Sequence, residues 1–543
     1  MKSFRTCLGG LWELLRPIRG RVLVSVLIGA VKIAASLGFV WICKSLVDIV
    51  TGVSDKPLGL HVGIMAGIMV LQLVSGIGGS YWENLIRVKS QNSIREQHFA
   101  HVMRSTWGGR EAFHSGDMTN RLEEDIRVVV DLLCTNLPDC IVTLCQLVAA
   151  SVYLLALAPN LTWLLLLLMA VAVVGSKMFF RKLRELTGRI RGREAEIQGY
   201  MQENIQHRVL ALTLIGVERV ITKLGWLQKD LCDTTVTRLN YNAVARSFMS
   251  LGFLSGYAAA FLWGIYGIKA GSVTFGMMTA FLQLVGQVQR PVADISRHIP
   301  AFIKALTSVE RLMELEELPL EEQGEQVKFS SAPGIRMEDV SFRYTGSEPE
   351  VLSGFSHDFK PGTTTVIMGL TGAGKSTLIR IVMALLKPSE GKVTIYADGL
   401  EMPVSPAVRG NYMYVPQGNT LMSGTIRENL LLADPSASEE RMREALHLAA
   451  ADFVFDLPQG LDTICSEKGA GLSEGQAQRI AIARALLHEG GVLILDEATS
   501  SLDAGTERRL LENVATSYRG SKTILFISHR EAAVQYADDV LRL

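Results

Sequence analysis

The chain is poor in the features that announce disulfides, metal sites or nucleic-acid binding. Its 543 residues hold seven cysteines (Cys7, Cys43, Cys134, Cys140, Cys145, Cys232 and Cys465), with no CxxC pair and no histidine at metal-ligand spacing. Most lie in apolar stretches, where a thiol acts as a small buried hydrophobe. Charge of one sign is also missing: 54 Lys and Arg balance 54 Asp and Glu. That balance excludes the basic field a nucleic-acid binder needs. Its first residues do not resemble a cleavable signal peptide. "MKSFRTCLGGLWELLRPIRGR" is amphipathic instead, with Leu11, Trp12, Leu14 and Leu15 beside Arg16, Arg19 and Arg21, as suits a helix lying on a membrane surface.

What is present in excess is apolar sequence, concentrated before residue 320. Six stretches reach the roughly 20 residues needed to cross a bilayer, near 22–48, 60–80, 138–158, 160–180, 248–268 and 272–290. Runs such as "WLLLLLMAVAVVG" have no polar face to turn toward water, which argues against a large soluble helical core. Basic residues crowd the segments after the second span (Arg87, Lys89, Arg95, Arg104, Arg110) and the fourth (Arg181, Lys182, Arg184, Arg189, Arg191, Arg193), whereas the opposite loops carry only Lys56 and Lys269. The positive-inside rule predicts both termini and two long helical excursions, about 81–137 and 181–247, in the cytoplasm. Lys32 lies inside the first span, a costly place for a charge, and is expected to contact an anionic part of the cargo from a cavity, to pair with an intramembrane acid or to snorkel to the interface.

After an acidic, then small and polar, seam ("LMELEELPLEEQGEQVKFSSAPG") the chain reads as soluble α/β. "GLTGAGKST", Gly369 to Thr377, fits G-x-x-x-x-G-K-[ST] and sits between a strand-like and a helix-like run. Gly372 and Gly374 let backbone wrap phosphates, Lys375 reaches the outer phosphates, and the Ser376 hydroxyl is suited to Mg²⁺. The apolar strand "VLILDE" ends in Asp496, suited to Mg²⁺, and Glu497, suited to polarising an attacking water as general base. A third element, "GAGLSEGQAQRIAIARAL", is a Gly-rich turn opening a helix, a natural anion site that carries the carboxylate of Glu474.

With "LSEGQ", "LILDEATSSLD" and the histidine in "ILFISHR", these motifs resemble the nucleotide-binding domain of ABC transporters. Six spans followed by one such domain resemble an exporter half-transporter of the type IV, multidrug-exporter-like fold. The fold expected is thus a membrane all-α domain of six helices (residues 1–311), a linker (312–334) and an α/β P-loop NTPase domain of ABC type (335–543). The resemblance implies ATP and Mg²⁺ as cofactors and assigns roles by position. Tyr344 would stack on adenine. Gly369, Thr371, Gly372, Ala373, Gly374, Lys375, Ser376 and Thr377 would cradle phosphate. Gln417 would touch Mg²⁺ and relay motion, with Ser376 and Asp496 as the other metal contacts. Ser473, Gly475 and Gln476 would form the signature, Asp503 the D-loop, and His529 the γ-phosphate switch beside the base Glu497. Glu467 would sense cytoplasmic helix tips, one at 113–126 and a second near 205–216.

In this family the signature closes over ATP held by a second copy, so the resemblance implies a dimer. Glu474, in place of the common glycine, leaves two readings open: a tolerated variant in a homodimer, or one half of a heterodimer with a weakened site. The function expected is ATP-driven export of a hydrophobic or amphipathic substrate (lipid, drug-like molecule or peptide) across a cell membrane, a bacterial inner membrane being the expected setting. An ATP-gated channel or sensor of the same architecture is the alternative. The partners expected are a second half-transporter, membrane lipid and the substrate, with no nucleic acid. The sequence after His529 is short, which leaves the last sheet edge in question.

Overall fold

A computed structural model describes residues 4–107, 115–322, 324–344, 350–370, 372–465 and 471–543. The chain divides into two compact units, residues 1–99 with 119–316 and residues 100–118 with 317–543.

The first unit is helical. It comprises α1 (Phe4–Leu15), α2 (Arg19–Val50), α3 (Leu58–Arg104), α4 (Ser115–Asn120), α5 (Ile126–Asp131), α6 (Leu137–Leu157), α7 (Pro159–Lys177), α8 (Phe180–Gln206), α9 (Arg208–Leu210), α10 (Val217–Lys269) and α11 (Phe275–Glu316). Two π-helical turns, Arg121–Asp125 and Leu132–Asn136, join α4, α5 and α6 into one run, and a third, Ala211–Ile215, follows α9. By length and composition four of the described helical runs can cross a membrane: Arg19–Val50, Leu58–Arg104, Gly116–Leu157 and Val217–Lys269. The two other expected spans fall on α7 and α11. α7 is shorter, and α11 carries Gln283, Gln287 and Gln289 among its apolar residues and runs past residue 311 to Glu316. In those four runs only 11–17% of the apolar window is buried inside the chain, so most of that surface calls for lipid or another chain. Lys32 lies against α3: a Cβ on Gly79 would meet its Nζ at 2.6 Å.

Below the spans, α11 is clasped by the first π-turn. Arg121 donates to the Arg311 carbonyl at 2.8 Å and to Glu314 Oε2 at 2.6 Å. The Ser308 hydroxyl donates to Asp125 Oδ1 at 2.7 Å, and Arg311 lies 3.3 Å from Asp125 Oδ2. Both Arg121 and Asp125 are buried, so each charge is held by a partner because water cannot solvate it.

The second unit is α/β. An antiparallel sheet of order β2-β1-β4-β5 is built from β1 (Gly334–Phe342), β2 (Leu352–Phe359), β4 (Glu390–Ala397) and β5 (Leu400–Pro403). The sheet that positions the chemistry has order β11-β3-β10-β9-β6, all pairs parallel, from β3 (Thr364–Met368), β6 (Tyr412–Val415), β9 (Val492–Asp496), β10 (Thr523–Ile527) and β11 (Asp539–Arg542). β9 and β10 are buried throughout, as continuous apolar strands covered on both faces must be. The helices here are α12 (Lys375–Val382), α13 (Ile426–Leu431), α14 (Glu439–Leu448), α15 (Glu474–Leu487) and α16 (Ala504–Tyr518), and β7 (Gly424–Thr425) pairs with β8 (Ile464–Cys465). The last sheet edge, in question from sequence, is formed: β11 pairs with β3 over Asp539–Arg542, and the Leu543 amide donates to the Met368 carbonyl at 2.9 Å.

Replacing Asp125 with Ala removes the carboxylate that faces Arg311 and accepts from the buried Ser308 hydroxyl. The expected loss is about 1–3 kcal/mol, the cost of leaving a buried hydrogen-bonding group without its acceptor. Thermal unfolding of the purified chain in nanodiscs reads it as a clear drop in midpoint.

Candidate functional site

Four parallel strands deliver their carboxyl ends to one edge of the sheet, the usual place for a ligand in such a fold. β3 runs into the P-loop, β10 into Ser528 and His529, β9 ends at Asp496 and Glu497, and β6 leads to Gln417.

The P-loop folds as its glycines require. Gly372 and Gly374 have φ of 92° and 93°, where a side chain is strained, and a Cβ on Gly374 would meet the Val351 carbonyl at 3.0 Å. Gly374 caps α12, whose first residue is Lys375. The buried Lys375 ammonium donates to the carbonyls of Gly369 (2.9 Å) and Leu370 (3.0 Å), which fixes it across the loop. The Ala373 amide donates to Leu370, and Ser376 is half-buried in the first turn of α12. Thr371 lies outside the described residues, as does Glu467. Tyr344 packs edge-on against Phe342 with centroids 4.9 Å apart, and its hydroxyl lies 3.1 Å from Thr377 Oγ1.

The three residues expected to act in catalysis meet at one carboxylate. Gln417 Nε2 donates to Glu497 Oε2 at 2.6 Å, and His529 Nε2 donates to Oε1 at 2.9 Å. Glu497 itself has φ of 52°, a left-handed conformation costing about 1–3 kcal/mol in a residue with a side chain. That backbone turns the chain out of the buried strand just as the carboxylate is needed. Asp496 points the other way and is buried. Tyr414 donates to its Oδ2 at 3.4 Å, while Oδ1 is buried with no hydrogen-bond partner. Burial, then the neighbouring Glu497 charge, pushes the Asp496 carboxyl above the ordinary aspartate range. An orphaned oxygen in a disfavoured anion fits a divalent cation. Mg²⁺ takes few protein ligands and keeps water and phosphate oxygens, so one such carboxylate beside a hydroxyl is the kind of donor set it uses.

The signature turn is a capping box. Ser473 Oγ accepts from the Gln476 amide at 3.2 Å, and Gln476 Oε1 accepts from the Ser473 amide at 2.8 Å. Glu474 is the first residue of α15 and is exposed, so its charge sits where the helix dipole favours an acid. Gly475 has no room for more: a Cβ would meet the Ser501 carbonyl at 2.9 Å. Asp503 caps α16, accepting from the amides of Gly505 (3.1 Å) and Thr506 (3.0 Å), and the Thr506 hydrogen bonds hold its carboxyl below the usual range.

Sequence reading missed the residues that tie these loops together. Gln478, buried on α15, accepts from the Ser501 hydroxyl at 2.5 Å and donates to Ser500 Oγ at 3.4 Å. Glu507, buried on α16, accepts from Thr499 Oγ1 at 2.8 Å and from Arg530 at 2.5 Å. Arg530 also donates to the carbonyls of Leu502 (3.1 Å) and Ser500 (3.2 Å). The position of Arg530 directly after His529, and of Glu507 four residues after the Asp503 cap, was the available signal.

Comparison with known proteins bears on the family and the fold. The family model described as "ABC transporter transmembrane region" matches residues 22–292, and the one described as "ABC transporter" matches residues 352–500. YgaD of Bacillus subtilis (strain 168), provisionally named a multidrug export ATP-binding/permease protein, is 26% identical over 97% of this chain and 93% of its own length. The leukotoxin translocation ATP-binding protein LktB of Mannheimia glucosida is 36% identical over 52% of this chain and 40% of its own. A solved structure of a bacterial Atm1-family ABC exporter with ATP bound superposes with a TM-score of 0.79 at 23% identity, covering 97% of this chain and 94% of that one, which shows the same fold.

Replacing Glu497 with Gln keeps the side chain's shape but turns one of its two accepting oxygens into a donor and removes the carboxylate proposed as base. ATP turnover should fall by about 10²–10⁴-fold while binding of a fluorescent ATP analogue stays within about twofold. Glu507→Gln should weaken the tie to Arg530 and lower turnover by about tenfold, on the scale of one charge-assisted hydrogen bond, with Glu497 intact.

Proposed function

This chain belongs to the ABC transporters, as a transmembrane domain fused to one ATPase domain that couples hydrolysis to transport, and from that premise we propose an ATP-driven exporter of hydrophobic or amphipathic substrates that works as a homodimer. The observation carrying the catalytic part is the Glu497 carboxylate held by Gln417 on one oxygen and His529 on the other. So held, Glu497 orients and takes a proton from the water that attacks the γ-phosphate. His529 contacts that phosphate, and Gln417 ties the state of the carboxylate to the loop after β6. Lys375 and the amides of the loop from Gly369 to Ser376 hold the β- and γ-phosphates, with the ring of Tyr344 against the base. Mg²⁺, held by Ser376, Gln417 and Asp496, would neutralise charge on the phosphates.

Ser473, Gly475 and Gln476 are assigned to the ATP of the partner copy, with Asp503 at the same seam. The exposed apolar residues Val209, Leu210, Leu212 and Leu214 at the second helix tip support a partner, since such a cluster is costly in water. The exposed, outward Glu474 with an intact capping box supports the homodimer: the backbone amides and Ser473 that bind phosphate are undisturbed by it. The distribution of Lys and Arg supports cytoplasmic termini and a cytoplasmic ATPase domain. The names of relatives in multidrug export and toxin translocation support export of a bulky or apolar cargo.

The decisive measurement is ATP turnover by the chain purified alone in nanodiscs, with Glu497→Gln as control. Robust turnover abolished in the control is expected; a folded, ATP-binding sample without turnover would require a second, different half-transporter. Glu474→Gly should change turnover by less than about fivefold, because only a dipole contribution of about 0.3–1 kcal/mol is removed. A large gain would identify a weakened site. Inside-out vesicles should accumulate cargo against its gradient, whereas simple equilibration would mean a channel.

A further inference from the structure

Residues 100–107, which continue α3, pack within the ATPase unit beside the P-loop helix. Ser105 forms an antiparallel bridge with Leu320, the Thr106 amide donates to Pro319 at 2.8 Å, and the Glu321 amide donates to Arg104 at 3.0 Å. Glu321 in turn accepts both arms of Arg409, at 2.7 and 2.8 Å. The same guanidinium donates to the carbonyls of Met383 (3.1 Å) and Ala384, at the carboxyl end of α12. The far end of the P-loop helix is therefore tied to the segment that follows α3.

A second tie reaches the nucleotide side of α12. Trp107 is half-buried against the core of this unit, and the Arg380 guanidinium lies 4.9 Å from the centre of its ring. Arg380 donates to the Tyr344 hydroxyl at 3.4 Å, and that hydroxyl lies 3.1 Å from Thr377 in the P-loop. One guanidinium thus stands between an aromatic ring from the α3 segment and the hydroxyl of the residue assigned to the adenine. Its orientation is set by the ring: a flat cation over an aromatic face loses attraction as the ring withdraws. The same charge also favours ionisation of Asp496.

We propose that Trp107 is a positioning residue for nucleotide, acting through Arg380 and the Tyr344 hydroxyl, so that the end of α3 sets how firmly this chain's own P-loop holds ATP. This deepens the ATP-binding reading above and rests on it. It assigns to the chain an intramolecular link between residues 100–107 and its own ATP site, independent of any contact with a partner copy. It also predicts the direction of the effect: withdrawing Trp107 frees Arg380, slackens Tyr344 and weakens ATP binding, leaving Glu497, Gln417 and His529 as they are.

The test uses the full chain in nanodiscs and reads KM for ATP, kcat and the affinity for a fluorescent ATP analogue. Trp107→Leu should raise KM and the dissociation constant about 3–10-fold, the scale of one lost cation–π contact, with kcat within about twofold. Trp107→Phe, which keeps a ring, should restore most of the affinity. Adding Tyr344→Phe to Trp107→Leu should bring less than about twofold further change, because the path is already cut. Equal affinities for the Leu and Phe variants, multiplied losses in the double variant, or a fall in melting temperature with unchanged KM would each overturn the proposal. The binding arm keeps the test separate from the proposed function: absent turnover in the unsubstituted chain would count against an autonomous exporter, while the analogue still reports whether Trp107 governs affinity.

Discussion

The ATPase unit depends on where a buried parallel strand is allowed to become charged. β9 is apolar and buried from Val492 to Leu495 and pairs in register with β10, so that Asp496 stands opposite Ile527. No acid is tolerable earlier, because an unpaired carboxylate inside the layer would have neither water nor partner. At the strand end the two acids separate by environment. Asp496 stays in the layer with one orphaned oxygen, and Glu497 is swung out by a left-handed backbone into the grip of Gln417 and His529. The strained backbone is the device that gives adjacent carboxylates different environments.

Around that point, hydrogen bonds rather than apolar packing couple the loops. Arg530, next to His529, holds the carbonyls of Ser500 and Leu502 and the buried Glu507, while Gln478 on the signature helix holds Ser500 and Ser501. A shift of the histidine loop is therefore felt by the segment between Asp496 and Asp503, and by α15 with its capping box. Glu507 and Gln478 are buried, so their bonds are costly to leave unmade and favour joint movement of these loops.

The helical unit obeys a different solvent. Its spans leave most of their apolar surface outward, and the buried Arg121 and Asp125 are each held by a partner in the clasp with Glu314 and Arg311, as the buried Asp48 is by Lys44 in α2. α3 has 47 residues, about 70 Å at the usual helical rise, more than twice the hydrocarbon thickness. That excess length is what lets one helix begin among the spans and continue into residues that pack with the ATPase unit.

Much was legible without coordinates because it is local. Helix period and apolar length mark spans, the P-loop spacing reports backbone that must wrap phosphate, and "VLILDE" reports a strand with acids at its end. These follow from chemistry within about ten to twenty residues, so the chain order alone determined the presence of a membrane-spanning half and an ATP-binding half, and singled out Lys375, Asp496 and Glu497 as candidates. Glu474 shows the limit: as a letter it looks like an acid in a phosphate turn, and only its place as the first exposed residue of α15 makes it compatible with that turn. The convergence of Gln417, Glu497 and His529, residues separated by up to 112 positions, was decided by the parallel sheet that brings three strand ends together. Trp107 on Arg380, Arg530 on Glu507 and Gln478 on Ser501 were likewise decided by tertiary structure, because a side-chain contact between distant segments depends on register and rotamer, neither of which a single sequence records.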